Sequence, residues 1–195
     1  MLHTQVQSRP HLFISAKTST AIPARHPLVR DALVQASLDP QVRAIDYLPS
    51  TTVDATPVAL NAIVIIRDDG RFHLDVCDAR PVRDVDSEGL ALMALDKLGL
   101  APLTLTADDI KREPRFANAR LVWSYRHHPV GIGMRMRILS ILSEDGPMAL
   151  SRLLSSIRSD RDPSPAVMAL ACSNLLELDL VSQPLSPATI ARCRS

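Results

Sequence analysis

The stretch "ALNAIVIIRDDGRFHLDVC" constrains the fold of this chain more than any other. Two apolar runs, Ala59–Ile66 and Phe72–Cys77, flank the turn sequence "RDDG". Asp-Gly between two apolar runs is a strong signal of a β-hairpin. The segment "AIVII" is apolar at every position, which is typical of a strand that is buried on both faces. The sequence therefore predicts a hairpin at the centre of a sheet that helices cover.

The segments on either side of the hairpin supply those helices and further strands. Apolar spacing, capping residues and the positions of Pro and Gly define their bounds. They predict a helix over 27–38 in "HPLVRDALVQASLDP", a strand over 42–48 in "VRAIDYL", a serine-capped helix over 87–98 in "SEGLALMALDKLGL", a strand over 102–106 in "PLTLT", and then a helical pair broken before Pro114. The predicted class is α/β, with a mixed sheet flanked by helices.

The pattern changes after Gly131 and Gly133. Three amphipathic helices follow in "MRMRILSILSEDG", "MALSRLLSSI" and "SPAVMALACSNLLELDLV", and the tail "LVSQPLS" could supply a short strand pair. Three helices with a small wing predict a winged helix-turn-helix domain. The predicted organisation is a flexible N-terminal arm over 1–25, an α/β core over 26–130, and the small C-terminal domain over 134–195.

Composition restricts the functional classes. The net charge of +1 gives no overall attraction to nucleic acid or to a membrane, and 3% aromatic residues leave few stacking platforms for single strands. The three cysteines show no close pairing, as expected in a reducing cytoplasm. The chain shows no signal peptide and no run of eighteen apolar residues. We therefore expect a cytoplasmic protein with no membrane partner.

One segment, "TLTADDIKREPRFANARLVWSYRHHP" over 104–129, resembles the part that follows the catalytic core in TnsA-type endonuclease subunits of heteromeric transposases. The matching positions are Thr106, Asp109, Ile110, Glu113, Pro114, Asn118, Ala119, Val122 and Tyr125. "RDALVQASLDPQV" resembles the family's helix that ends in a D-P-x-V turn, at Asp39, Pro40 and Val42. The likeness covers roughly 26–190 and implies a restriction-endonuclease-like core followed by a winged helix.

The resemblance also implies where the catalytic residues should lie. In the family, carboxylates on the first helix and on two strands hold Mg²⁺, and a lysine orients the attacking water. Here the strand aspartate falls at Asn61 and the lysine at Cys77, while a carboxylate survives at Asp75. The helix position falls near His26 or Val29. Since the loss of one acid–base group typically costs roughly 10²–10⁴ in rate, the resemblance implies a nuclease fold without catalytic residues, metal or other cofactor.

Structural roles and a rearranged metal site remain alternatives at these positions. Asp75 could be a polar strand end that caps a loop amide, and Cys77 a small buried apolar residue. Asp78 and Asp54 could in principle rebuild a metal site around Asp75 from new positions. We expect Mg²⁺ as a cofactor only if this rearranged metal site exists.

Charge patterning separates two modes of binding. The third C-terminal helix has no basic residue and one amide, Asn174, and Glu177 and Asp179 on the same predicted helix would repel phosphates. This favours docking to a partner protein or self-association through the C-terminal domain. Positive charge gathers earlier, where it predicts a phosphate-tracking face for double-stranded DNA or else a solvated helix surface. That basic segment comprises Lys111, Arg112, Arg115, Arg120, Arg126, Arg135 and Arg137.

Three functional hypotheses follow from the sequence. The first is a non-catalytic TnsA-like scaffold or accessory protein in a transposition or other mobile-element DNA-processing complex. The second is an active Mg²⁺-dependent endonuclease with a rearranged site around Asp75. The third is a winged-helix regulator of transcription.

Overall fold

A computed structural model describes residues 12–159 and 161–194 of the chain. The strands are β1 (Leu12–Phe13), β2 (Ile22–Pro23), β3 (Val42–Val53), β4 (Thr56–Arg67), β5 (Gly70–Val76), β6 (Ala101–Leu105), β7 (Met148–Ala149), β8 (Leu176–Leu178) and β9 (Ile190–Cys193). The helices are α1 (Pro27–Leu38), α2 (Val85–Lys97), α3 (Ala107–Ile110), α4 (Arg115–Ser124), α5 (Ile132–Asp145), α6 (Leu150–Ser156) and α7 (Ser164–Cys172). All of these helices are too short or too polar to cross a bilayer.

The predicted hairpin lies at the centre of the main sheet. The strand order is β3-β4-β5-β6, in which β4 pairs antiparallel with β5 and β5 pairs parallel with β6. α2 connects the two parallel strands and covers one face of the sheet through Ala91, Ala94 and Leu95. α1 lies on the other face, where Leu33 packs near Ile45 and Ile65. The mixed sheet flanked by helices is confirmed.

Several bounds differ from the predicted ones for local reasons. β3 extends to Val53 because it continues to pair with β4 up to Thr56. α2 begins at Val85 because the carboxylate of Asp84, rather than Ser87, caps it by accepting a hydrogen bond from the Ser87 amide. The prediction of a serine cap is therefore wrong.

The N-terminal segment is more ordered than predicted from Leu12 onward. β1 and β2 form a two-stranded antiparallel sheet that buries Phe13 and Ile22. The Phe13 ring stacks on Trp123 with 5.3 Å between centroids, which anchors the segment to α4. An arm over 1–25 with one short ordered piece was expected; the structure shows ordered strands and the Trp123 contact within 12–25, and residues 1–11 lie outside the described residues.

The C-terminal part has the element order α5-β7-α6-α7-β8-β9, with its three strands in the spatial order β7-β9-β8. The predicted third helix runs to Val181, but α7 ends at Cys172, nine residues earlier. Asn174 turns the chain with a left-handed φ of 60°, and "LEL" then pairs with β9. Glu177 therefore lies in a strand and Asp179 directly after it. The prediction that both residues belong to the third helix is wrong.

The C-terminal elements share one core with the α/β part. A single buried cluster contains Leu33 of α1, Val122 of α4 and Val167 of α7. Side-chain hydrogen bonds reinforce this packing, because Arg194 donates from Nη2 to the carbonyl oxygen of Val42 at 3.0 Å. The two parts are therefore packed directly against each other.

Candidate functional site

The candidate site lies on the face of β5 that α2 covers in part. Alternate side chains of a strand point to opposite faces, and His73 pairs with Val64, which packs beneath α2. Asp75 lies on the same face, next to Thr104 in the parallel register with β6. The Thr104 hydroxyl donates to Asp75 Oδ2 at 3.3 Å. Burial lowers the pKa of His73, although the nearby Asp75 carboxylate acts in the opposite direction.

Asp75 is held by an arginine that sequence reasoning did not identify. Arg80 donates from Nε to Asp75 Oδ1 at 2.8 Å and from Nη2 to Oδ2 at 2.5 Å, which is a bidentate ion pair. The hydrogen bonds from Arg80 hold the pKa of Asp75 below its usual value. The carboxylate side chain is only 13% exposed. A cation that binds to Asp75 must therefore first displace the Arg80 guanidinium.

The second arginine of this loop connects the site to the neighbouring strand. Arg83 donates from Nη2 to the carbonyl oxygen of Leu60 at 2.8 Å and forms an ion pair with Glu88 at 3.1 Å. Arg80 and Arg83 thus fix the loop between β5 and α2 over the sheet. Both arginines lie in the loop that follows the strand, in "CDARPVRD", and no motif in the sequence marks either of them.

Asn61 has a backbone conformation that explains its residue type. The register between β3 and β4 shifts from the Leu48–Ala62 pair to the Ser50–Ala59 pair, so that two residues of β4 lie opposite one of β3. Asn61 lies in this bulge with a left-handed φ of 50°, a region in which asparagine is among the best tolerated side chains. Its Oδ1 accepts a hydrogen bond from the Tyr47 hydroxyl at 2.7 Å.

The predicted catalytic positions therefore have different hydrogen-bonding neighbours. Asn61 bonds toward β3 and Asp75 toward β6. Cys77 follows the end of β5 and begins a short 3-10 turn over Cys77–Ala79. The helix positions lie apart from this face, since His26 caps α1 by accepting from the Leu28 amide and the half-buried Val29 packs against the core on the α1 side of the sheet.

The carboxylates proposed for a rearranged metal site are also engaged. Asp78 accepts a hydrogen bond from the Ala107 amide at 2.9 Å, and Asp54 forms an ion pair with Lys97 at 2.7 Å. Over residues 12–159 and 161–194, no group of three or more His, Cys, Asp or Glu side chains is arranged to hold a metal ion.

Some side chains of the basic segment form ion pairs with carboxylates, and others are exposed to solvent. Arg112 pairs with Asp109 at 3.0 Å, and Arg115 pairs with Asp39 at 3.1 Å. Arg120 and Arg126 lie over the rings of Phe116 and Trp123, and Arg137 donates to the carbonyl oxygen of Arg158. Lys111, Arg120 and Arg135 are exposed at the surface.

The residues that carry the family resemblance have clear structural roles. Thr106 and Asp109 form a capping box at the start of α3. Asn118 is buried on α4 and holds the loop between β8 and β9 by three hydrogen bonds: its Nδ2 donates to the carbonyl oxygens of Leu180 and Gln183 at 3.0 and 2.8 Å, and its Oδ1 accepts from the Leu185 amide at 2.8 Å. This loop is thus attached to the α/β part.

The third C-terminal helix, α7, is buried and not exposed to solvent. Seven of the nine residues of α7 are buried, from Ala166 to Cys172. Burial raises the pKa of the Cys172 thiol to about 12, and the thiol donates to the Val122 carbonyl oxygen of α4 at 3.3 Å. In this arrangement α7 cannot enter a DNA groove, because the α/β part covers it.

Comparison with known proteins leaves the family open. No family model matches the chain, and no curated protein is significantly similar to it.

Proposed function

We propose that this protein is a non-catalytic relative of TnsA-type endonucleases that serves as a DNA-associated scaffold or accessory factor in a transposition or mobile-element DNA-processing complex. The observation that carries the proposal is the bidentate Arg80–Asp75 ion pair at the position of the surviving strand carboxylate. The Arg80 guanidinium neutralises the negative charge of the Asp75 carboxylate, which a hydrated Mg²⁺ would need as a ligand.

The architecture supports the fold-level part of the proposal. An antiparallel hairpin, a helix and a parallel strand form a sheet with helices on both faces, as the restriction-endonuclease-like assignment requires. The C-terminal element order, with a three-stranded sheet and a loop between the last two strands, supports the winged-helix part of the proposal. Thr106, Asp109 and Asn118 of the family-like segment have structural roles that do not depend on catalysis.

The burial of α7 bears on the competing role as a transcription regulator. A winged helix that reads DNA places its recognition helix in the major groove. Here that helix packs on α1 and α4, and the wing loop is held by Asn118. These contacts favour a module that docks on protein, with any DNA contact made by the basic segment.

Cleavage assays test the absence of catalysis. We expect no cutting of plasmid or linear duplex with Mg²⁺ or Mn²⁺. The double change Asn61→Asp with Cys77→Lys, combined with Arg80→Gln to release Asp75, should restore neither turnover nor strong metal affinity, because the helix carboxylate is missing and residue 61 bonds toward β3, away from Asp75. Metal affinity is measured by isothermal titration calorimetry. Cleavage by the wild-type protein that disappears in Asp75→Ala would instead establish the Mg²⁺-dependent nuclease.

Salt-dependent binding tests the DNA contact. Phosphate contacts make affinity fall with salt, by about 0.9 in the log–log slope for each contact, and carry little sequence preference. Replacing Lys111, Arg120 and Arg135 with glutamine should reduce that slope and weaken binding to unrelated duplexes equally. The control removes the same number of exposed cations outside the segment, by replacing Arg25, Arg71 and Arg161 with glutamine. Equal loss in both variants, or no binding at low salt, would contradict a DNA contact at this segment.

A further inference from the structure

A cavity of about 370 Å³ lies where the end of α1, the start of α4 and the segment around β8 meet. We call it the junction cavity. Its apolar wall consists of Leu38, Ala119, Leu178, Leu180 and Val181. The volume is typical of small-molecule sites, which often lie where two parts of a protein meet. The described residues that line it include none of the candidate site on β5.

Hydrogen bonds fix the wall of the junction cavity that follows β8. Asn118 donates from Nδ2 to the carbonyl oxygens of Leu180 and Gln183 at 3.0 and 2.8 Å. The Asp179 carboxylate accepts from the Val181 amide at 3.1 Å. This wall is therefore formed before any ligand binds, and a pre-formed wall lowers the ordering cost of binding.

The charged side chains around the junction cavity already have partners. The Arg115 guanidinium pairs with Asp39 at 3.1 Å, and Arg192 pairs with Glu177 at 2.5 Å. A charged ligand would have to displace one of these partners or remain unpaired, and an unpaired charge is costly to remove from water. The cavity therefore favours a neutral ligand.

Gln35 supplies a hydrogen-bond acceptor that the described chain leaves open. Gln35 is only 7% exposed and lines the junction cavity, and its Nε2 donates to the Ile110 carbonyl oxygen at 2.6 Å. Its Oε1 has no partner among the described residues and is not sealed inside the protein. The oxygen of Gln41, the other glutamine of the cavity, already accepts from Arg67 Nη2 at 2.7 Å. Because a nearly buried acceptor without a partner is unfavourable, Gln35 favours a donor in the cavity.

We propose that the junction cavity binds a small, neutral, largely apolar molecule that donates one N–H or O–H hydrogen bond to Gln35 Oε1. The leucine side chains contact the apolar body of the ligand, and Gln35 sets its orientation. Such a ligand contacts α1, α4 and the segment around β8 at once. Its binding therefore stabilises the packing of the C-terminal elements on the α/β part. The site does not depend on the proposed function.

Indole and N-methylindole are a matched pair of probes for this site. Both are neutral and apolar, and they differ by the N–H that Gln35 Oε1 would accept. Titration of the full-length chain is followed by backbone amide chemical shifts. We expect saturable indole shifts concentrated in the segments 35–41, 115–119 and 178–181. N-methylindole should bind about 3- to 10-fold more weakly, because one hydrogen bond is lost.

Two substitutions test the location of the binding site. Ala119→Leu fills the junction cavity, and Val181→Asp places a charge at its apolar rim, so each should weaken indole binding by at least about 3-fold. Val181 is 63% exposed, so its replacement does not require the core to accept a larger side chain. The matched controls are Ala117→Leu, at an exposed position of α4, and Val82→Asp, in the loop before α2. Both controls should bind indole as the wild-type chain does.

Three outcomes would overturn the proposal. The first is indole binding that does not saturate or that shifts other segments of the chain. The second is equal affinity for indole and N-methylindole. The third is indole binding that Val181→Asp and a folded Ala119→Leu variant leave unchanged.

Discussion

The backbone at Asn61 decides which side chains that position accepts. A left-handed φ costs an ordinary side chain about 1–2 kcal/mol, and glycine avoids this cost. The bulge therefore selects for asparagine or glycine.

Substitution at Asn61 should reveal this selection. We expect Asn61→Gly to stay within about 1 kcal/mol of the wild-type free energy of unfolding, since it loses one exposed hydrogen bond to Tyr47. Asn61→Val loses the same bond and should cost about 1–2 kcal/mol more than Asn61→Gly, because of its β-branched side chain at positive φ. Urea unfolding measures both. Equal stability of the two variants would show that the backbone does not constrain the residue type here.

Sequence reasoning was most successful where residue type and periodicity agree. At Ala59–Ile66 and Phe72–Cys77 the Asp-Gly turn and the apolar runs predicted a central hairpin, which the structure confirms. The Arg80–Asp75 ion pair could not be predicted, because it depends on the path of the loop after β5 rather than on any motif. The bulge at Asn61 could not be predicted either. An asparagine within a strand pattern is compatible with a turn and with a replaced catalytic aspartate, so the residue type alone does not indicate a bulge.

At the scale of elements, α7 and β8 show how one segment can satisfy two patterns. "NLLELDL" has apolar residues compatible with helical spacing, and it also alternates over "LELDL". The left-handed turn at Asn174 ends the helix, and the pairing of Leu176–Leu178 with β9 stabilises the strand conformation instead. Tertiary pairing of this kind is not visible in local propensity.

The loop between β8 and β9 depends on one side chain of α4. Asn118→Ala leaves the carbonyl oxygens of Leu180 and Gln183 and the amide of Leu185 without their partner. Since an unsatisfied buried group costs about 1–3 kcal/mol, we expect a loss of roughly 2–4 kcal/mol. Hydrogen exchange should rise in the loop over 179–189 and then in α7.

Asn118→Asp provides the comparison for that experiment. The carboxylate can still accept from the Leu185 amide but faces two carbonyl oxygens that it cannot bond. It should therefore destabilise at least as much as alanine above the pKa of the new carboxyl group. Unchanged hydrogen exchange of the loop in both variants would mean that Asn118 does not hold it.

At the scale of the whole molecule, the buried Lys17 lies between the end of α1 and Arg194, which follows β9. Its Nζ donates to the carbonyl oxygen of Asp39 at 2.5 Å, at the end of α1. Burial first, and then the Arg194 guanidinium, lower the pKa of Lys17 from 10.5 to about 8. Between these two values the unfolded chain binds a proton that the folded chain does not, so this group makes stability rise with pH.

Lys17→Met removes the titrating amine. Comparison with the wild-type protein should therefore show whether this group makes the free energy of unfolding rise or fall with pH. The free energy of unfolding of the wild-type protein relative to the variant should increase from about pH 8 to pH 10.5, because the neutral amine no longer opposes burial. Urea unfolding at several pH values measures the difference, in which other titrating groups cancel. A flat difference for Lys17→Met over this pH range would contradict the lowered pKa.

The contacts of Phe13 and Arg194 also determine when the fold can be completed during synthesis. Phe13 stacks on Trp123, and Arg194 bonds to the backbone at the start of β3. On a ribosome the central hairpin can emerge and pair early, yet the edge of its sheet at β3 lacks the Arg194 contact until residue 194 has emerged. Nascent chains should therefore stay sensitive to protease until that residue is outside the exit tunnel, and a stalled chain ending near residue 130 should be a client of chaperones.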